Sequence, residues 1–112
     1  MQMIPRVRSA SLKRELRVGS RLAVLFTDIK SANPMVGYRY IVVVLEDGNP
    51  QPCLYVTAET NPLIKDSVHA PFLATFDEFG HHNFGQSLAW ADEDTFMKQA
   101  ERMITSRYAT RH

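Results

Sequence analysis

The run Tyr38-Arg-Tyr-Ile-Val-Val-Val-Leu-Glu46 constrains this chain more than any other stretch. Its β-branched and aromatic residues select a strand over a helix. Side chains alternate across a strand, so Tyr40, Val42 and Val44 form one apolar row and Ile41, Val43 and Leu45 another. A strand apolar on both faces has to be covered on both faces. Any fold open to this chain must therefore supply two covers for that strand.

Three more segments carry a strand signature. Leu22–Ile29 alternates Leu22, Val24 and Phe26 with Ala23, Leu25 and Thr27, and Cys53–Glu59 and Pro71–Asp77 follow the same pattern. Pro71 stands at a strand start, where a missing donor is tolerated. Turn residues separate the runs: Gly19-Ser20, Ser31-Ala-Asn-Pro with Gly37, Asp47-Gly-Asn-Pro50 and Asn61-Pro62. The segment 63–70 is irregular, with room for one helical turn around Ile64 and Lys65. One long helix closes the chain. Asp92 is its N-cap, Glu93 and Asp94 complement the positive end of its dipole, and Phe96, Met97, Ala100, Met103, Ile104 and Tyr108 fall on one stripe at helical period. That periodicity assigns the stripe to a core.

These elements predict an α+β fold: an antiparallel sheet of about four strands in meander order, able to curl strongly, with a C-terminal amphipathic helix packed on one face. Residues 22–112 form its single domain, a size that 112 residues comfortably allow. One helix covers one face of the central strand. The other cover is to come from the N-terminal segment, the 63–70 stretch, curling of the sheet, or a second copy of the chain. A homodimer is the expected answer, because pairing faces or edges buries apolar surface without new elements.

Charge divides the chain. Residues 1–21 carry six bases against Glu15, a net of +5, whereas the remainder holds seven bases and eleven acids, a net of −4. This basic arm reads as extended, or as a short helix capped by Ser9 or Ser11 with Leu12 and Leu16 on one side. Arg6, Arg8, Lys13, Arg14 and Arg17 could engage nucleic-acid phosphates, but the arm contains no aromatic side chain on which bases could stack. The favoured expectation sets the arm against the acidic surface of its own body or of a neighbouring subunit. No apolar run approaches the roughly 20 residues of a membrane span, and no secretory signal stands out. The one cysteine, Cys53, excludes an internal disulfide and fits a cytoplasmic location.

Groups capable of chemistry are dense in one place, Phe76-Asp-Glu-Phe-Gly-His-His-Asn-Phe-Gly85, whose part from Phe79 to Gly85 is expected to loop out between the last strand and the helix. Asp77, Glu78, Phe79, His81, His82, Asn83, Phe84 and Trp90 are the candidate ligand- or partner-binding residues: aromatic walls beside convergent polar groups. Three chemistries can be weighed there. Asp77, His81 and His82, with His69 in reach, offer metal ligands, yet adjacent histidines in an extended segment point apart and match no ligand spacing. His81 or His82 with Asp77 or Glu78 could form an acid–base pair for a hydrolase. No nucleophile presents itself, since Cys53 reads as a buried thiol and neither Ser87 nor Thr75 sits in a nucleophile elbow. No phosphate-cradling glycine loop is present either, so no cofactor is expected. A domain that works by binding is the preferred expectation. The acid–base or metal-dependent hydrolase and the nucleic-acid-associated protein are the alternatives.

Overall fold

The structure is a computed structural model that describes residues 4–60 and 70–108. The expected turn around Ile64 and Lys65, and His69 with it, lie outside the described residues, as do residues 1–3 and 109–112.

Six strands, two more than expected, follow one another as an antiparallel meander: β1 (Val7–Val18), β2 (Arg21–Ser31), β3 (Gly37–Glu46), β4 (Pro52–Thr60), β5 (Phe72–Asp77) and β6 (Gly80–Gln86). A single 3-10 turn, Leu88–Ala91, leads into the helix α1 (Glu93–Arg107). The basic arm is strand rather than helix. Its pairing with β2 extends from Val7 to Val18, joined by the two-residue turn Gly19-Ser20 with Gly19 at φ +63. Two leucines do not outweigh a full ladder of backbone hydrogen bonds. The expected loop after β5 is also a strand. Only Glu78 and Phe79 turn the chain, Gly80 takes φ +111, and β6 runs back along β5.

Strand pairing fixes which residues share a face. Arg14, Leu25, Val42, Val56, Thr75 and His82 form one cross-sheet row on the helix side; Glu15, Val24, Val43, Tyr55, Phe76 and His81 form the neighbouring row on the opposite, open side. On the helix side, Phe96, Met97, Ala100 and Ile104 meet Leu25, Val42, Val44, Leu54, Val56 and Ala58 in one core. Burying a large apolar side chain of this kind stabilises by about 1.5–3 kcal/mol. The Tyr40 ring stacks on Phe96 with centroids 5.4 Å apart. The Tyr40 hydroxyl and the Arg39 Nε–H both donate to the Ala91 carbonyl, at 3.2 and 2.9 Å, and so tie the helix start to β3. As expected, Asp92 caps the helix: its carboxylate accepts from the Thr95 N–H at 3.0 Å and from the Thr95 hydroxyl at 2.7 Å.

The second cover of β3 comes in part from β1. Three register shifts interrupt the β1–β2 ladder, and opposite them Asp28 adopts φ +51. Bulges bend a strand and increase its twist. The outer half of β1 is thereby swung so that Pro5, Val7 and Ala10 face Phe26, Ile41, Val43 and Tyr55 on the open side. The Ala32 N–H donates to the Arg6 carbonyl at 3.0 Å and holds this end in place. Among the described residues no helix is long and apolar enough to cross a membrane.

Candidate functional site

The β5–β6 hairpin places seven of the eight candidate residues and the 3-10 turn the eighth, and together they separate more of them than they gather. Asp77, at the end of β5, is 2% exposed. One of its carboxylate oxygens accepts the Phe79 N–H at 2.7 Å and forms the turn; the other accepts from Arg107 in the last turn of α1. Glu78 and Phe79, at the turn itself, are exposed. The Asn83 side chain accepts the Gly85 N–H at 2.8 Å, where Gly85 takes φ +107 and the β5–β6 register shifts. Trp90 belongs to the core layer rather than to this surface, because the 3-10 turn folds its ring against the residues beneath α1.

His81 and His82 point to opposite faces, as neighbours in a strand do. His82 is on the helix side, its Nε2 3.7 Å from Asp77. His81 is on the open side, where its ring lies 4.7 Å from that of Phe76 and its Nε2 meets Glu59 Oε2 at 2.8 Å. The two histidines share no carboxylate and cannot act on one substrate atom. Among the described residues no three Asp, Glu, His or Cys side chains converge as a metal-ligand set. Glu59 Oε2 also accepts the Thr57 hydroxyl at 3.0 Å, but Thr57 is 0% exposed and so is closed to a substrate. The pair thus bridges the surface and the sheet, with His81 exposed, Glu59 and Tyr38 half-buried and only Thr57 fully buried. Burial, then the Glu59 charge, pushes the Tyr38 phenol up to about 12.

A second polar cluster closes the far end of the helix. Arg21 lies over the Tyr108 ring at 3.6 Å from its centroid and pairs with Glu46 at 3.0 Å. Burial, then the Cys53 thiol, pushes the Tyr108 phenol up to about 12. A shallow cleft of about 560 Å³ opens here between Glu46, Asp77, Glu78, Arg107 and Tyr108. The burial of Arg107 works against its charge, but its hydrogen bond and attraction to Asp77 prevail, and its pKa is raised. Acids and bases in this cleft already face each other.

The basic arm is engaged in the same way. Lys13 and Arg14 pair with Glu93 at 2.7 and 3.3 Å, Arg14 with Asp94 at 2.7 Å, and Arg17 with Asp47 at 2.8 Å. Exposed pairs of this kind contribute little each, but they put three of the arm's cations, Lys13, Arg14 and Arg17, onto acids at the helix N-terminus and the β3–β4 turn.

The exposed surface also carries large apolar side chains. Of the six large apolar side chains exposed among the described residues, Phe79 (76%), Phe84 (57%) and Leu88 (61%) belong to the β6 hairpin and its exit. Phe79 and Phe84 do not fold back into the core as bulky loop residues often do: Phe79 stands at the turn, and Phe84, on the edge strand, lines an open groove with Gln99, Arg102 and Met103 of α1. Glu59, Thr57, Arg107 and Tyr108 escape a local reading of the sequence. Each is brought to the hairpin by strand register or by the helix end, and only the alternation Thr57-x-Glu59 hints at a shared face. Compared with known proteins, the chain matches no family model, no curated protein and no solved structure.

Proposed function

We propose that this protein is a binding domain whose contact surface is the outer edge of β6, and that the partner there is a second copy of the chain. The observation that carries this reading is the concentration of exposed apolar side chains, Phe79, Phe84 and Leu88, along one edge of the sheet.

The contrast between the two edges supports it. An edge strand presents backbone donors and acceptors to any extended partner, and proteins blunt such edges with charge, proline and bulges. At the other edge β1 carries Arg8, Lys13, Arg14, Glu15 and Arg17 and three register shifts. The β6 strand, Gly-His-His-Asn-Phe-Gly-Gln, contains no lysine, arginine, acid or proline. Two copies of β6 meeting antiparallel about a two-fold axis would set an edge without formal charges against its like and bury both phenylalanine sets, as closed symmetric dimers do. Phe79 and Phe84, roughly 16 Å apart along an extended chain, would flank the junction.

Sedimentation velocity over a range of concentrations tests this. The native chain is expected to show a monomer–dimer equilibrium. Phe84→Lys, which places a charge on the edge, is expected to weaken it by roughly tenfold or more, as loss of an interface anchor does, while Phe84→Leu keeps it. A native chain that stays monomeric throughout, or a Phe84→Lys chain that dimerises equally well, overturns the reading.

A further inference from the structure

The outer half of β1 and the open face of the sheet enclose a trough of about 210 Å³, lined by Pro5, Val7, Ala10, Phe26, Ile41, Val43 and Tyr55. We propose that this trough is a binding site for a small, neutral, predominantly apolar molecule carrying at most one hydroxyl-type group. It lies on the open face and is independent of the β6 edge.

Three observations define that chemistry. First, none of the seven lining side chains can carry a formal charge at neutral pH, and only Tyr55 brings a polar atom. Burial raises the Tyr55 phenol's pKa, so it stays neutral and offers one hydroxyl. An ionic ligand would lose its hydration with nothing to replace it. Second, the size suits a ring with a short chain, or a medium-length aliphatic chain. An apolar protein cavity of about 150 Å³ already admits benzene. Third, the trough is built rather than left over. Register shifts near Arg8 and Lys13, with the left-handed Asp28 opposite, bend β1 across the sheet. The Ala32 N–H donates to the Arg6 carbonyl at 3.0 Å and holds the bent end there. A strand that merely needed pairing would run straight along β2. This one leaves the line and becomes a wall.

The floor of the trough is packed and its wall is exposed. Ile41 is 4% exposed and Val43 sits between Val24 and Tyr55 in its cross-sheet row, whereas Ala10 on the wall is exposed. Entry is therefore past β1, and a bulky side chain at position 10 would fill the space.

The test is a methyl NMR titration with 1-octanol and, separately, with octanoate. The full chain is expected to show saturable shifts confined to the Val7, Ala10, Ile41 and Val43 methyls with 1-octanol, and at least tenfold weaker binding of octanoate at neutral pH. Ala10→Phe is expected to abolish the 1-octanol shifts. Phe84→Lys, at the β6 edge, is expected to leave them intact. Equal binding of alcohol and carboxylate by the native chain overturns the proposal, with no variant needed. So do shifts scattered over the exposed Leu12 and Leu88 methyls, or an Ala10→Phe chain of native unfolding midpoint that still binds 1-octanol.

Discussion

Asp77 is the residue on which the hairpin and the helix end depend together. One carboxylate oxygen shapes the β5–β6 turn through the Phe79 N–H, and the other receives Arg107 from α1. The acid is buried, while the Arg107 side chain keeps 35% of its surface. Removing the acid therefore strands a turn N–H but leaves the guanidinium access to water, so the cost lies below that of a fully buried pair. Asp77→Ala is expected to lower unfolding stability by about 1–3 kcal/mol, and Asp77→Asn by less, because the amide oxygen can still accept from Phe79. Urea denaturation measures both. Combining either with Arg107→Met should give less than the sum, which is the mark of residues that act through each other. Asp77 stands out in the sequence as one member of a dense polar cluster. Its true partner does not, because Arg107 reads as one of the cations on the solvent side of an amphipathic helix. A helix face can be read from spacing, but the strand end beneath its last turn cannot.

Legibility at the level of elements follows how many sides of an element are packed. The cores of β2, β3, β4 and β5 and the whole of α1 are visible in the sequence, because burial imposes apolar alternation or a helical stripe. The two edge strands are not. β1 is mostly serine and charged residues with scattered apolar ones, and β6 contains no β-branched residue. With pairing on one side only and solvent on much of the surface, neither needs the composition by which strands are recognised. The bends in β1 are equally silent, since a bulge is a property of two strands in register. Asp28 is where that geometry has a local cost. Its φ of +51 is the left-handed region, which aspartate tolerates and β-branched residues do not. Asp28→Gly should leave the thermal midpoint unchanged or raise it, whereas Asp28→Val should destabilise by about 1–2 kcal/mol. Equal midpoints for the glycine and valine variants would mean that the bend does not depend on this backbone conformation.

At the scale of the whole molecule, the three phenols whose pKa is raised lie at the margins of the main core. Tyr38 lies in the Glu59 network on the open face, Tyr55 lines the trough, and Tyr108 joins the end of α1 to Arg21 and Cys53. Burial raises all three, Tyr38 and Tyr108 to about 12. A phenol whose folded pKa lies above its unfolded value holds its proton more tightly in the fold. The stability linked to it is therefore complete below the unfolded pKa near 10 and is lost as pH rises through the folded value. For Tyr38 and Tyr108 that window runs from about 10 to about 12. Ionisation of either puts an anion into partly buried surroundings, beside the Glu59 carboxylate for Tyr38 and against the Cys53 thiol for Tyr108, so the open face and the helix end should loosen over the same interval. A spectrophotometric titration of the phenolates, run together with far-ultraviolet circular dichroism, is expected to place most of the phenolate rise above about pH 10 and the loss of secondary structure inside the same window. Tyr38→Phe should move the onset of unfolding upward, because the neutral ring keeps its apolar contacts and has no proton to lose. Complete phenolate formation by about pH 10 with the sheet intact would show that these rings meet water far more freely than their packing implies.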